Sequence, residues 1–240
     1  MPHELATALI LLLSALTMSF TGFGFALVSV PLLALFMPIK TAVALQFPYC
    51  LVMFGIQAWR YRSLVRWADM RDLLYGTAVG LPLGAFLLYY LPEMMLKRAL
   101  AVLILGAVLL TLTAWGRKLG QRYKDNRWWG ATAGFLSGWF LGAYTIGGPP
   151  AAVYILARTE DPAQAKGLMA WYFTGQFVLM IFIYGAAGMF TLDGLLASAW
   201  YSPVVVLGGV AGGWAFRRVG NRAFRLAVNG LLVLTAVLLW

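Results

Sequence analysis

Two short stretches carry the residue types from which a binding site could be made. One is FTGFGF at 20–25, the other YTIGGPP at 144–150. Each interrupts an apolar run with glycine, or with glycine and proline, and each follows an aromatic residue and a threonine. Proline stops a helix and glycine lets the chain reverse. A helix restarting after such a break points free N–H groups and the positive end of its dipole at whatever lies in front, a ready site for an anion. The second arms should start near Phe25 and Pro150, and proline suits a first helical position. The backbone candidates are therefore Gly22, Gly24, Gly147, Gly148 and Pro149. Thr21, Gln46, Tyr144, Thr145, Tyr154, Tyr172 and Gln176 supply hydroxyls and amides to complete a neutral shell. Lys40 and Lys166 stand at the outer ends of the two broken runs. They either draw anions to each mouth or serve as interface anchors.

Other chemistries lack their parts. The acidic residues are Glu4, Asp69, Asp72, Glu93, Asp125, Glu160, Asp161 and Asp193, all at the ends of apolar runs or in loops, and the single histidine is His3. Cation transport or proton pumping normally needs an acid or histidine relay inside the membrane. No Ser/His/Asp, HExxH or Walker pattern occurs, so no catalytic residue is expected. GFGF has neither the third glycine nor the following acidic residue of a dinucleotide fingerprint. Cys50 is the single cysteine, which excludes a disulfide framework and a metal cluster. No cofactor is expected.

The elements that position these residues follow from composition. The 240 residues are 62% hydrophobic and 11% charged, less than half the charge usual in soluble domains. Apolar runs at about 4–37, 41–59, 73–91, 98–115, 129–157, 167–187, 195–216 and 225–240 are long enough to cross a bilayer. The longest polar stretch, around GRKLGQRYKDNRWW, leaves no room for a soluble domain. The net charge of +10 sits in short loops, which points to topology and not to nucleic acid. The N-terminus lacks a positive n-region and reads as mature chain. Trp59, Trp67, Trp115 and the tryptophans of RWW at 127–129 lie at run ends, as an aromatic belt should.

The halves resemble each other. FTGFGFALVSVPLLALFMPIK at 20–40 matches YTIGGPPAAVYILARTEDPAQAK at 144–166, and GAFLLYYLPEMMLKRALAVLILGAVLL at 84–110 matches GGWAFRRVGNRAFRLAVNGLLVLTAVL at 212–238. The offsets, about 124 and about 128, indicate an internal duplication of the kind that builds transporters. The runs 4–37 and 129–157 are too long for one span and too short for two with a loop. If each crossed once, Lys and Arg would divide evenly between the two sides. If both are re-entrant hairpins, Arg60, Arg62, Arg66, Arg71, Arg117, Lys118, Arg122, Lys124, Arg127, Arg158, Lys166, Arg217, Arg218, Arg222 and Arg225 share one side, against Lys40, Lys97 and Arg98 on the other. That is the bias of a real membrane protein. The expected fold is an all-α polytopic membrane protein with two repeats, 1–118 and 128–240. Each repeat is a broken-helix hairpin plus three transmembrane helices, and the odd number of spans inverts the second repeat. The breaks should meet near the midplane, where backbone without partners is tolerated beside a cavity. Glycines recur every four residues at Gly76, Gly80 and Gly84, and at Gly130, Gly134, Gly138 and Gly142, with a further pair at Gly208 and Gly212. These are ridges for close helix packing, within the chain or in a homodimer.

The paired breaks TGFGFALVSVPLLALFMPIKTAVAL and GAYTIGGPPAAVYILARTEDPAQAKGLMAWYF resemble the TauE/SafE family of sulfite exporters and related permeases. So do GLPLGAFLLYYLP and GGVAGGWAFRRVG, and the resemblance covers nearly the whole chain. It implies a secondary transporter of sulfur-containing anions in a bacterial inner membrane, with a site role for Gly22, Gly24, Gly147, Gly148 and Pro149. Phe23 and Phe25 depart from the family pattern, which often has further glycine there. Sulfite export is the first expectation and organosulfonate uptake the second. A non-transport subunit of a larger membrane complex is the reading from another class. The expected partners are a small anion and the lipid bilayer, with both termini on the periplasmic side.

Overall fold

Runs of leucine, alanine, valine and glycine whose backbone must satisfy itself fold as helices. The computed structural model describes residues 2–112, 118, 120–123, 126–215 and 221–240, and no strand occurs among them. The helices are α1 (Pro2–Thr21), α2 (Phe25–Leu33), α3 (Ile39–Arg60), α4 (Arg71–Tyr90), α5 (Glu93–Leu112), α6 (Arg127–Tyr144), α7 (Gly148–Arg158), α8 (Pro162–Ala186), α9 (Leu192–Ala199), α10 (Ser202–Ala215) and α11 (Asn221–Leu239). Trp115, Arg117, Lys124, Asp125, Arg217 and Arg218 lie outside the described residues, as do the side chains of Thr21, Asp193, Arg222 and Arg225. Helices α3, α4 and α8 are long and apolar enough to cross a membrane by length and composition. The outer faces are apolar too: α4 exposes Tyr75, Val79 and Phe86, and α10 exposes Val206, Leu207 and Val210. Exposed apolar surface on this scale suits lipid, not water.

The breaks fall where glycine and proline predict them. Both broken runs have a long first arm, 20 residues in α1 and 18 in α6, and a short second arm, 9 residues in α2 and 11 in α7. At 1.5 Å per residue the long arms are about 30 and 27 Å. Each run turns back on itself. His3, at the start of α1, stacks on Phe36, beyond the end of α2, with ring centroids 5.7 Å apart. Arg127 and Arg158, at opposite ends of the second run, both reach Asp72.

Two expectations need correction. The run 195–216 is not one helix: it divides into α9 and α10 at Trp200–Tyr201. Pro203 lies in the first turn of α10, where its missing N–H costs nothing, but the residue before a proline is disfavoured in a continuing helix. The second concerns the acids: Asp72 keeps its place at the end of an apolar run but is buried. It sits in the first turn of α4 and is 5% exposed. Arg158, Arg127 and Arg71 surround it at 3.5, 3.8 and 3.9 Å, and Tyr154 Oη lies 3.4 Å away. Burial is tolerable because the charge is paired several times over.

The chain forms two compact units, each drawing on both sequence halves. The first comprises residues 1–50, 91–108 and 189–240. In it α1 runs along α10, with Gly208 against the Leu12 carbonyl and Gly212 against Leu16 and Ser19. Ser19 Oγ donates to the Gly209 carbonyl at 2.9 Å. Glu93 Oε1 accepts from the Ile39 N–H at 2.9 Å and so caps α3. Tyr49 on α3 donates to the Ser198 carbonyl near the end of α9.

The second unit comprises residues 51–90 and 109–188. Its spine is the seam between α4 and α6, where the two glycine ridges interlock. Gly76, Gly80 and Gly84 lie against the carbonyls of Ala131, Phe135 and Trp139; Gly134 and Gly142 lie against those of Leu73 and Leu81. Backbone touches backbone along the whole seam, as small residues allow in membrane helices. Tyr184 of α8 donates to the Gly142 carbonyl at 2.8 Å.

Candidate functional site

The two breaks belong to different units, and each is built by its own neighbours. In the first unit α1 ends at Thr21 and the chain passes through Gly22 (φ 80°) and Gly24 (φ 109°) before α2. Both angles lie in the left-handed region that glycine enters without strain. Gly22 N–H closes on the Met18 carbonyl at 2.8 Å. Gly24 occupies the N-cap position and offers no side-chain acceptor, so the first-turn N–H groups of Phe25, Ala26 and Leu27 are not capped by it. The Ala26 amide faces the buried Cys50 thiol. Cys50 Sγ lies 2.9 Å from Gln46 Oε1 one turn earlier on α3, and both residues are fully buried. The structure thus places Gln46, Gly22 and Gly24 in one unit and adds two residues absent from the sequence-based set. Cys50, noted there only as the single cysteine, lies beside the helix start. Ser29, on α2, is fully buried and its hydroxyl has no hydrogen-bond partner.

In the second unit α6 ends on Thr145, whose φ of 58° is left-handed. A β-branched residue pays a steric penalty there that glycine escapes. Its N–H bonds the Leu141 carbonyl at 2.7 Å, and its hydroxyl turns back onto the Tyr144 carbonyl. Strain held at a break is a mark of function. Thr145→Gly should raise stability by about 0.5–1 kcal/mol net of the backbone entropy glycine loses. A thermal melt of the purified protein checks it: a higher midpoint supports strain, and a lower one assigns the larger role to the hydroxyl.

Gly147 and Gly148 follow. A Cβ on Gly147 would lie 2.8 Å from the Ser137 carbonyl oxygen and 3.0 Å from Leu141 Cβ, so the site needs glycine for close approach. Ser137 Oγ donates to the Gly147 carbonyl at 2.7 Å, tying the break to α6. Pro149 and Pro150 sit in the first turn of α7 and carry no N–H. Gly148 therefore supplies the one N–H that the first three residues of α7 possess, a sparser donor set than a generic helix start offers.

Behind this break lies a polar cluster from three helices. Tyr172 on α8 faces Ser137 of α6, Thr77 of α4 and Gln176 one turn along α8, with its hydroxyl 2.6 Å from Thr77 Oγ1. All four residues are at most 3% exposed. Gln176 Oε1 has no hydrogen-bond partner. Tyr172 and Gln176, singled out from sequence, are thus brought together with Gly147. Thr77 and Ser137 were missed, because each lies inside a glycine ridge whose spacing signals packing alone. Tyr144 and Thr145 flank the break and are buried. Tyr154 does not join the cluster; it lies with Asp72 and Arg158 at the far end of α7. Lys40 and Lys166 are half-buried in the first two turns of α3 and α8, and each has an interaction partner. Trp59, Trp67 and Trp128 are exposed at helix ends.

Among the described residues no group of histidine, cysteine or carboxylates could hold a metal ion. A family model described as "Sulfite exporter TauE/SafE" matches residues 7–239. No curated protein and no solved structure gives a significant match.

Proposed function

Since the chain belongs to the TauE/SafE sulfite exporter family, a family of membrane transporters of sulfur anions, we propose that it exports sulfite by alternating access around its two broken helices. The observation that carries this reading is the pair of left-handed or proline-stopped breaks, each opening a short buried helix without a side-chain cap. Helix starts of this kind attract anions in both soluble and membrane proteins.

In this reading both broken runs are re-entrant and the two repeats are inverted, with Gly22 and Gly24 forming one helix start and Gly147, Gly148 and Pro149 the other. Thr21 and Gln46 add neutral polar groups to the first start, and Tyr144, Thr145, Tyr172 and Gln176 add them to the second. A neutral shell holds the anion weakly enough to release it, which a buried arginine would not. The reversal of both runs and the matching order of elements, a broken pair followed by further helices, support it. Position 126 residues apart also agrees: Lys40, Ala44 and Phe47 on α3 correspond to Lys166, Ala170 and Phe173 on α8. In this reading the protein sits in the inner membrane with its termini on the periplasmic side.

Flux of radiolabelled sulfite, taurine, sulfoacetate and sulfate into proteoliposomes tests the proposal. Sulfite should move fastest; preference for an organosulfonate would make the protein an uptake permease, and no flux of any of them would end the transport reading. Lys166→Ala should slow flux several-fold at low substrate while leaving the maximal rate, because a mouth charge raises local concentration and not turnover. An unchanged concentration dependence would make Lys166 an anchor. Topology has its own check. A cysteine at Lys40 should react with an impermeant reagent from the periplasmic side and one at Lys118 from the cytoplasmic side, against a low background because Cys50 is buried. Labelling of both from one side would refute the hairpins.

A further inference from the structure

Resting on that transport reading, we infer that the second unit selects a hydrogen-bearing monoanion, hydrogen sulfite, with Gln176 accepting the hydrogen of the substrate. The argument is an account of protons in the cluster behind Gly147. Thr77 Oγ1 gives its hydrogen to backbone carbonyls, that of Leu73 at 2.8 Å or of Gly134 at 3.1 Å. Ser137 gives its hydrogen to the Gly147 carbonyl at 2.7 Å. Thr77 therefore receives from Tyr172 across their 2.6 Å contact. Gln176 Nε2 points at the Tyr172 carbonyl, 3.4 Å away. Turning the amide over would set oxygen against oxygen, so the network fixes its orientation. Each hydroxyl hydrogen is thus committed to the protein. What is left over is an acceptor: Gln176 Oε1, in a residue 2% exposed, has no partner.

An orphaned buried carbonyl calls for a donor. Sulfite dianion has none and would meet these oxygens with oxygen. Hydrogen sulfite carries one hydrogen for Gln176 and keeps anionic oxygens for the N–H of Gly148. The proton enters and leaves on the substrate, so transport needs no titrating side chain, in keeping with the placement of the acids outside this cluster. Each turnover moves one hydrogen sulfite, hence one negative charge and one proton. The same hydrogen requirement disfavours sulfonates, which are permanently ionised and lack the O–H. Sites that hydrogen-bond a substrate hydroxyl reject analogues without it strongly.

The test uses the full-length protein in proteoliposomes with a pH dye trapped inside. Radiolabelled sulfite and methanesulfonate are compared across pH at fixed total concentration. Sulfite flux should rise as pH falls, in step with the hydrogen sulfite fraction. The lumen should acidify as sulfite enters and ionises, and methanesulfonate should move at least about tenfold more slowly. Gln176→Leu, confirmed monodisperse, should cut sulfite flux by about tenfold, flatten its pH profile and narrow the gap between sulfite and methanesulfonate. Sulfite flux that follows the dianion, or methanesulfonate carried as fast as sulfite, overturns the inference while leaving anion transport standing. Absence of flux for both substrates overturns the transport reading itself. The wild-type comparison decides the question even where the variant does not fold.

Discussion

Gly134→Leu is expected to yield no folded protein. A Cβ at this position overlaps the Leu73 carbonyl, so even alanine forces α4 and α6 apart. The obstacle is backbone on both sides and cannot rotate out of the way. Separation at one point also opens the contacts of Gly76, Gly80, Gly84 and Gly142, because they lie along the same seam. Overpacking costs about 1–3 kcal/mol where side chains can adjust. Here they cannot, and the loss should exceed that range and approach the whole stability of about 5–15 kcal/mol typical of a folded protein. The bond from Thr77 Oγ1 to the Gly134 carbonyl would break as well. Size-exclusion profile and thermal midpoint after extraction from the membrane measure the effect. Gly106→Leu is the control: no atom lies within 4 Å of a Cβ there, the position is exposed on α5, and the variant should behave as wild type. Equal tolerance of both substitutions would show that the ridges are not what joins these helices.

Gly148→Leu should have the opposite profile, with folding kept and transport lost. Gly148 opens α7 outside the left-handed region, so leucine escapes that strain, and the cost left to it is the contact of its Cβ with the Pro149 ring that follows. Its N–H is the donor that Pro149 and Pro150 leave to the first turn. A branched side chain at the mouth of the break fills the space in front of that donor and excludes an anion from it. Flux should fall by more than about 100-fold, as expected when a positioned donor is lost from a desolvated site. The melt should move by only a few degrees. Near-normal flux in a well-folded variant would remove the second break from the site.

The membrane class, the helices and their interruptions were legible in the sequence because each depends on neighbours in the chain. Twenty apolar residues make a helix in lipid wherever they occur, and Gly-Gly-Pro-Pro stops one whatever surrounds it. The breaks at Gly22–Gly24 and Thr145–Gly147, and the chain reversals they allow, are local effects of that kind. So is the family resemblance, which rests on the order of such motifs. The glycine ridges were likewise readable as packing surfaces, though not their partners: a four-residue spacing fits any other.

Tertiary structure alone decided that the ridge of α4 meets the ridge of α6, more than 50 residues away, and that α1 pairs with α10. It decided that Asp72, at the end of an apolar run, is buried and joined by Arg127 and Arg158 from the two ends of the second broken run. It also converted Thr77 and Ser137 from ridge residues into the polar floor behind Gly147, and left Gln176 with a carbonyl that nothing in the protein satisfies. The physical reason is common to all of these. Local propensity follows from a residue and its near neighbours, whereas burial and polar pairing depend on groups that only the packed chain brings within about 4 Å.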